Sequence, residues 1–250
     1  MKILVVNDDG INAAGIKTLV KHLSKIAKVV VVAPESQRSG AGSSIVVGQI
    51  RVKKENFENA EAAYSISGTP RDCAEIGLAR LFPNQIDMLI SGINQGANVG
   101  SDTICSGTCG AALIGTLYGI PSIATSLDFG DSYEYEDAAE ITTKIAQWLI
   151  EQPSTGEYTL NVNIPNIPKD EMKGYKTCGF GGFDIYKNCC TPVQDGEYLI
   201  YDTEISNNTF DTTKYPDGDR ACLSQGYICL SPMHPDLTCY KFMKNLETLK

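Results

Sequence analysis

The chain is poor in histidine and tryptophan, and it has fewer basic than acidic residues. It contains 2 histidines and 1 tryptophan in 250 residues, with 21 Lys and Arg against 30 Asp and Glu. Histidine occurs only as His22 and His234, and this scarcity argues against a histidine-nucleophile pair. A net charge of -9 argues against a binder of duplex nucleic acid and against attraction to anionic membranes. A small anionic substrate stays compatible if a local positive centre offsets the global field.

Long apolar runs and paired cysteine motifs are also missing. No run approaches the length of a transmembrane helix. Met1-Lys2 leads straight into an apolar strand pattern without a separate leader segment. The 9 cysteines include no C-x-x-C, and Cys189-Cys190 is their only adjacent pair. We therefore expect a cytoplasmic protein with reduced thiols, most of them packed as small apolar side chains.

Several phosphate-handling motifs are absent as well. No cysteine is followed six residues later by arginine, no D-x-D follows the first apolar run, and no G-x-x-x-x-G-K-[ST] occurs. The stretch from Gly179 to Gly182 is not G-x-G-x-x-G. These absences exclude the cysteine-phosphatase loop and the P-loop.

What is present in residues 1–152 is an alternation of short apolar runs and helical patterns. This alternation predicts an α/β fold, Rossmann-like, with a mainly parallel sheet flanked by helices. Thr69 is the predicted N-cap of one helix, and Pro70 its first residue. The predicted strands are 3–6, 29–33, 50–53, 63–66, 88–91 and 121–126, and the predicted helices are 14–26, 70–81, 108–118 and 137–150.

The texture changes after about residue 153. A strand over 158–164, short β segments over 174–205, a strand over 226–231 and a helix over 240–250 are predicted. We interpret 1–250 as a single domain, with an α/β core in 1–152 that carries the active site and a β-rich C-terminal extension in 153–250. Because one subunit is not expected to cover the apolar side chains of this extension, we predict segment exchange in a homodimer or homotetramer. These side chains are Ile228, Cys229, Leu230, Phe242, Met243, Leu246 and Leu249.

Two adjacent carboxylates, Asp8 and Asp9, follow the first apolar run in the sequence Asn7-Asp8-Asp9-Gly10. Burying like charges side by side is unfavourable unless something positive lies between them. In an open α/β sheet, ligands bind in the crevice outside the strand ends. The pair therefore indicates a divalent cation site, with a solvated Asp-Asp-Gly turn as the alternative.

Three polar loops, 7–15, 34–44 and 92–108, follow predicted strands and are expected at the same edge of the sheet. Their carboxylate, hydroxyl and amide oxygens suit Mg²⁺, Mn²⁺ or Ca²⁺ better than zinc. The third loop ends in Ser106-Gly107-Thr108 and leads into a helix. A glycine at a helix N-terminus favours close approach of a phosphate, although ordinary N-capping explains the same residues.

Five segments in order resemble the SurE family (survival protein E), which are metal-dependent nucleoside-monophosphate phosphatases. The resemblance is strong over about residues 1–130 and weak in the C-terminal extension. The segments are 2–11 (K-I-L-V-V-N-D-D-G-I), 32–40 (V-A-P-E-S-Q-R-S-G), 68–73 (G-T-P-R-D-C), 91–102 with 106–108 (S-G-I-N-Q-G-A-N-V-G-S-D and S-G-T), and 119–124 (G-I-P-S-I-A).

The resemblance implies one divalent cation per subunit, Mg²⁺ or Mn²⁺, and a Rossmann-like body with an exchanged C-terminal segment. The metal ligands that it implies are Asp8, Asp9, Ser39 and Asn94, and the residues that it implies for the substrate phosphate are Asn98, Ser106, Gly107 and Thr108. The sequence departs from the family pattern at Cys105, where an aromatic residue is common, at Leu113-Ile114, and in 177–183, which lacks basic residues.

The residues and the resemblance together predict hydrolysis of nucleoside 5′-monophosphates, with 3′-monophosphates left open. Asp8 and Asp9 are the predicted catalytic residues, and Asp8 is preferred as the acceptor of the proton from water. Arg38 is a candidate for stabilising transition-state charge, whereas His234 and especially His22 are weak candidates. Two other readings stay open: a nucleotide-sensing protein that keeps the metal site without turnover, and a glycosyltransferase of the same fold.

Overall fold

A nine-stranded sheet forms the centre of the computed structural model, which describes residues 1–153, 155–182, 193–200 and 212–249. The strands of this sheet are β1 (Lys2–Val6), β2 (Lys28–Pro34), β3 (Val52–Glu55), β4 (Ala62–Ile66), β5 (Met88–Gln95), β6 (Ser122–Leu127), β7 (Thr159–Ile164), β8 (Tyr175–Thr177) and β11 (Ile228–Met233). Two further strands, β9 (Val193–Asp195) and β10 (Tyr198–Ile200), pair with each other as a separate antiparallel hairpin.

Seven α-helices lie in the described ranges. They are α1 (Ala14–Leu23), α2 (Pro70–Ile76), α3 (Asp102–Cys105), α4 (Gly107–Leu117), α5 (Tyr135–Ile150), α6 (Asp219–Ser224) and α7 (Tyr240–Leu246). A π-helical turn, Gly77–Leu81, continues α2. None of these helices is both long and apolar enough to cross a bilayer.

The strand order β3-β4-β2-β1-β5-β6-β7-β11-β8 contains a topological switch point between β1 and β5. From β1 the chain moves outward to β2 and β4 on one side, and later from β5 to β6 and β7 on the other. All neighbouring pairs from β4 to β7 are parallel. Because parallel strands end at the same edge, the loops after β1, β2 and β5 open together, and a switch point is where such sheets bind ligands.

Helices cover both faces of the parallel strands, so these strands are apolar on both sides. In β1, Ile3 and Val5 point into the cluster that contains α1 and α5. Leu4 and Val6 point into the opposite cluster, which contains α2 and α4. This alternation explains the continuous apolar run in the sequence, since each face of a strand has its own core.

The predicted fold class is confirmed: the sheet is mainly parallel, helices flank it, and antiparallel strand pairing occurs in the C-terminal region. Strands from both sides of the predicted division at 152/153 share one sheet, because β7 pairs parallel with β6 and antiparallel with β11. That division stays a prediction, as does the exchange of a segment between subunits.

Several details differ from the sequence predictions. β5 continues to Gln95 instead of ending at Ser91, with a shift of register against β6 after Ser91. The predicted loop 92–108 contains the short helix α3. The helix predicted over 240–250 ends at Leu246. Part of the region 174–205 that was predicted as short β segments, including Cys189 and Cys190, lies outside the described residues.

The prediction that Ile228 and Cys229 lack a cover within one subunit is wrong. Both are buried, at 4% and 0% exposure, because β11 pairs with β7 on one side and with β8 on the other. Leu230, in the same strand, is partly buried against the core cluster that contains α1 and α5. The other apolar side chains of the far C-terminal segment are exposed in the single chain. These are Leu237, Tyr240, Phe242, Met243, Leu246 and Leu249.

Candidate active site

The turn after β1 places two acidic side chains at the switch point of the sheet. The side chain of Asn7 closes this turn: its Nδ2 donates to Gly10 O at 2.9 Å, and Gly10 N donates to its Oδ1 at 3.2 Å. The backbone of the next loop adds a contact, in which Arg38 N donates to Asp8 O at 2.7 Å. The turn is therefore held in place from within and by the loop after β2.

Asp8 is a buried carboxylate with one strong hydrogen bond from another element. Its side chain is 4% exposed, and its Oδ1 accepts from Thr108 Oγ1 at 2.7 Å. Burial, with a smaller contribution from the neighbouring charge of Asp9, raises the pKa of Asp8 to about 6. Ionisation of this side chain therefore costs more free energy in the protein alone than it does in water.

Asp9 is oriented by the end of the neighbouring strand. Its Oδ2 accepts from Gln95 N, at the end of β5, at 3.2 Å, and burial raises its pKa. Among the described residues, no ion pair includes Asp8 or Asp9. Two partly desolvated carboxylates without a basic partner make a position where a bound cation gains the most.

Helix α4 begins directly beside Asp8. Ser106 is the N-cap, and its Oγ accepts from Cys109 N at 3.1 Å. A Cβ on Gly107 would lie 3.0 Å from Asp8 Cβ and 2.9 Å from Pro70 Cγ. Only glycine permits this close approach, which brings the first turn of an 11-residue helix, and the positive end of its dipole, against Asp8.

Asn94 lies near the end of β5, and Ser39 lies in the loop after β2. The amide nitrogen of Asn94 donates to Gly96 O at 2.7 Å, which leaves the amide oxygen as the atom able to coordinate a cation. Ser39 is exposed, and its Oγ accepts from Gln37 Nε2 at 2.9 Å. In the described residues no hydrogen bond joins either side chain to the aspartates. Ser39 and Asn94 therefore share an edge of the sheet with Asp8 and Asp9 but are not hydrogen-bonded to them.

Asn98 lies in a buried polar network that sequence reasoning missed. Its Nδ2 donates to Ser126 Oγ at 2.8 Å, and its backbone N donates to Asn163 Oδ1 at 2.7 Å. Its backbone O accepts from Asn161 Nδ2 at 2.8 Å. A signal for this network was available, because Asn161 and Asn163 alternate with apolar residues on a fully buried strand and therefore share one face.

The segment Gly-Thr-Pro-Arg-Asp-Cys caps α2 and holds the loop after β2. The predicted N-cap Thr69 is confirmed, and it forms a capping box with Asp72. Thr69 Oγ1 donates to Ser44 O at 2.7 Å, and Val46 N donates to Asp72 Oδ2 at 3.1 Å. This motif is therefore a structural support of the loop that carries Ser39.

The other candidate residues do not contact Asp8 or Asp9 through their side chains. Arg38 is exposed and its Nη2 lies 3.4 Å from Ser67 O. His22 Nε2 lies 2.6 Å from Oε2 of Glu136, which is a residue of α5. His234 is exposed, and its Nδ1 accepts from Asp236 N at 3.0 Å.

Tyr135 is close enough to Asp9 to be influenced by its charge, and the sequence analysis missed it. Its ring is buried, and burial followed by the charge of Asp9 raises its pKa. The helix was predicted to begin at Asp137, but α5 begins at Tyr135. The predicted start therefore excluded the residue of this helix whose pKa is influenced by Asp9.

The described cysteines contain no disulfide. The free thiols are those of Cys73, Cys105, Cys109, Cys178, Cys222, Cys229 and Cys239. Burial raises the pKa of Cys109 to about 12, so this thiol beside the N-terminus of α4 is a poor nucleophile at neutral pH.

The donor set fits a hard divalent cation. Two carboxylates, a hydroxyl and an amide oxygen are ligands that Mg²⁺ and Mn²⁺ accept. Within the described ranges, no group of three or more His, Cys, Asp or Glu side chains could hold a metal ion. Asp8 and Asp9 therefore need neutral oxygen ligands such as Ser39 and Asn94, or water, to complete a site.

The fold and the site define a class of α/β protein with an acidic pair and a helix N-terminus at the switch point of a parallel sheet. The sequence model of the family described as "Survival protein SurE" matches residues 3–186. The chain is 40% identical to "5'-nucleotidase SurE" of Clostridium beijerinckii, over all of this chain and 99% of the relative. It is 37% identical to "5'-nucleotidase SurE" of Clostridium kluyveri, over all of this chain and 98% of the relative.

A solved structure agrees with these relatives. The crystal structure of SurE protein from Aquifex aeolicus matches with a TM-score of 0.82 and 31% sequence identity, covering all of this chain and 99% of that chain. The chain belongs to the SurE family, as its sequence motifs predicted.

Proposed function

We propose that the protein is a divalent-metal-dependent phosphomonoesterase that hydrolyses nucleoside 5′-monophosphates to nucleoside and phosphate. The observation that carries the proposal is the acidic pair of buried Asp8 and partly buried Asp9, of which Asp8 lies against the N-terminus of α4, without a basic partner among the described residues. The nucleotide as substrate class is supported by full-length relatives that are named 5′-nucleotidase. Nucleoside 3′-monophosphates are a second substrate class for the same test.

Four residues, Asp8, Asp9, Ser39 and Asn94, would hold the cation. When bound there, a divalent cation supplies Lewis-acid polarisation of a phosphoryl oxygen and lowers the pKa of a water molecule. Thr108 orients Asp8 through its hydroxyl, and Gln95 N orients Asp9. We propose Asp8 as the group that accepts the proton from the attacking water, with Asp9 as the alternative.

The phosphate would lie at the start of α4, held by Ser106, Gly107 and Thr108. Backbone N–H groups at a helix N-terminus and the dipole of the helix both favour an anion. Asn98 would contribute from the opposite side of the loop, where its backbone is fixed by Asn161 and Asn163. Phosphoryl transfer depends mainly on positioning and charge stabilisation, which a rigid cradle of this kind supplies.

We also propose that the working form is a homodimer or homotetramer. The support is the set of exposed apolar side chains around α7, including Leu237 at 93% and Leu249 at 79% exposure. Exposed apolar patches of this kind are typical of subunit interfaces. Exchange of this segment between subunits is the route that we propose for covering them.

A substrate and metal panel tests the proposed activity. Purified protein is assayed for phosphate release from the four common ribonucleoside 5′-monophosphates and from 3′-AMP, with Mn²⁺, with Mg²⁺ and with EDTA. The proposal predicts release of phosphate from 5′-monophosphates with at least one of the two cations and none with EDTA. Tight binding of nucleotide without turnover would favour the sensor reading, and activity that EDTA leaves unchanged would refute the metal requirement.

A further inference from the structure

The loop between Asn98 and Ser106 is held by residues far away in the sequence. Gly100 N donates to Asp219 Oδ2 at 2.9 Å, and Ser101 N donates to Gly182 O at 3.2 Å. Asp102 Oδ2 pairs with Arg220 Nη2 at 2.6 Å. Three consecutive residues, 100–102, are therefore each bonded to the C-terminal region. They lie in the sequence between Asn98 and Ser106–Thr108, which are proposed to bind phosphate.

Asp219 is a fully buried carboxylate whose partners are backbone N–H groups. Its exposure is 0%. Besides Gly100 N, it accepts from Gly181 N at 3.0 Å and from Arg220 N at 2.8 Å, both on Oδ1. This one side chain thus links three segments: the loop between Asn98 and Ser106, the segment after β8 that contains Gly181, and the start of α6. Hydrogen bonds to a charged group are stronger than those to a neutral one. We call this set of contacts, between residues 100–102 and residues 181, 182, 219 and 220, the junction.

The backbones at this junction are packed without room for a side chain. Gly100 has a φ of +55°, and a Cβ there would lie 2.2 Å from Gly182 O and 2.6 Å from Gly181 O. Any other residue at position 100 would push the loop away from the C-terminal region. The contact is therefore direct and permits little variation in the position of the loop.

The ion pair between Asp102 and Arg220 adds a second anchor at the start of α3. Both side chains are mostly covered, at 21% and 17% exposure, so solvent screens the pair less than it screens a surface pair. Asp102 is the first residue of the short helix that leads to Ser106. Displacement of Asp102 would therefore shift the segment that supplies the N-cap of α4.

We propose that Asp219 and Arg220 are positioning residues for phosphate binding, acting through residues 100–102 on Asn98 and on the segment Ser106–Thr108. The inference rests on the proposed function, since it assigns a task to the same site. Neither side chain contacts Asp8 or Asp9 in the described structure. The hydrogen bond from Thr108 to Asp8 is the link between this segment and the proposed metal ligands, so we expect a smaller effect on cation binding than on phosphate binding. A displacement of about 1 Å of positioning groups is enough to reduce catalysis about a hundredfold.

The test compares variants of the junction with a destabilising control. Arg220→Met removes the charge, Arg220→Lys retains it, and Asp219→Asn and Asp102→Asn alter the other members. Ile228→Ala is the control, because Ile228 is buried in β11 and belongs to the main core cluster rather than to the loop. For each protein, Mn²⁺ affinity, the inhibition constant of inorganic phosphate, kcat and KM for AMP, and melting temperature are measured.

For Arg220→Met and Asp219→Asn, we expect the inhibition constant of phosphate and the KM to rise about tenfold, with Mn²⁺ affinity within about twofold of wild type. Arg220→Lys recovers most of the loss, and Asp102→Asn combined with Arg220→Met is no worse than Arg220→Met alone. Ile228→Ala lowers the melting temperature and leaves phosphate inhibition unchanged. If phosphate inhibition instead follows the melting temperature in all variants, including Ile228→Ala, the junction is only structural and the proposal is overturned.

Amide hydrogen exchange separates this inference from the proposed activity. In the metal-free wild-type and variant proteins, exchange is followed in the peptide that covers residues 97–108, with β1 as the internal reference. Faster exchange in Arg220→Met, confined to this peptide, supports the junction even if the wild type hydrolyses no nucleotide. Unchanged exchange there overturns the positioning role, whatever the outcome of the substrate panel.

Discussion

Replacing Asp8 by asparagine should make the metal-free protein more stable while it abolishes catalysis. Asparagine has nearly the same shape as aspartate, and its amide oxygen can still accept the hydrogen bond from Thr108 Oγ1. The substitution removes the buried negative charge and its repulsion with Asp9. A structural aspartate with a favourable partner would behave in the opposite way, since its loss would destabilise the fold.

The pKa of Asp8 sets the magnitude of the effect. Burial raises this pKa from 3.8 to about 6, and one pKa unit corresponds to about 1.4 kcal/mol. Because the folded state binds the proton more tightly than the unfolded state, the free energy of unfolding falls as pH rises from about 4 to about 6. Above that window the full penalty of about 3 kcal/mol applies, and Asp8→Asn can recover at most this amount.

Thermal unfolding at two pH values and two metal conditions measures this effect. At pH 8 with EDTA, Asp8→Asn should melt higher than wild type, with an upper bound of about 6–12 °C for a chain of this length. At pH 4, where Asp8 is protonated, the difference should shrink towards zero. With Mn²⁺ at about a hundred times its dissociation constant, the wild type should gain about 2.7 kcal/mol and the variant little.

Two results would refute this reasoning. If Asp8→Asn melts below wild type at pH 8 in EDTA, the carboxylate has a favourable partner and its charge does not destabilise the metal-free fold. If the variant gains as much stability from Mn²⁺ as the wild type does, Asp8 is not a metal ligand. Asp131→Asn, a change at an exposed carboxylate, is the control that should leave all four measurements unchanged.

Three further predictions concern Gly107 at the start of α4, the thiols and the C-terminal segment. Gly107→Ala places a Cβ 3.0 Å from Asp8 Cβ and 2.9 Å from Pro70 Cγ, so kcat/KM for AMP should fall at least about tenfold; wild-type kinetics would contradict the cradle. Strong reductant should leave activity and melting temperature unchanged, because the described cysteines are free thiols, and a loss of stability in dithiothreitol would reveal a structural disulfide. Deleting residues 238–250 should shift the sedimentation of a dimer or tetramer towards monomer while Mn²⁺ affinity is retained; a full-length protein that is already monomeric at micromolar concentration, with normal activity, would contradict the oligomer proposal.

The acidic turn and the parallel core were predictable because their determinants are local. The run from Ile3 to Val6 is apolar at every position, which is typical of a strand covered on both faces, and the polar residues begin where it ends. Thr69 and Pro70, an N-cap followed by a proline, likewise predict the start of α2 from two adjacent residues. Local patterns of this kind are sufficient to locate elements and the edge of the sheet that carries the polar loops.

The supports of the site were not predictable in the same way, because they depend on contacts between distant parts of the chain. Asp219 and Gly100 are 119 positions apart, and neither residue type by itself indicates a partner. Burial of Ile228 and Cys229 was missed because β8, a strand of three residues, provides one of their neighbours. Pairings across such distances follow from the assembled sheet and not from the periodicity of a segment.

Asp8 and Asp9 are the residues that we propose for metal-dependent phosphomonoester hydrolysis. The most direct measurement is phosphate release from AMP by wild type, Asp9→Asn and Asp131→Asn at saturating Mn²⁺, with folding checked by circular dichroism. We expect wild type and Asp131→Asn to turn over at the same rate, and folded Asp9→Asn to lose at least about a hundredfold in kcat/KM. Full activity in folded Asp9→Asn would contradict the account.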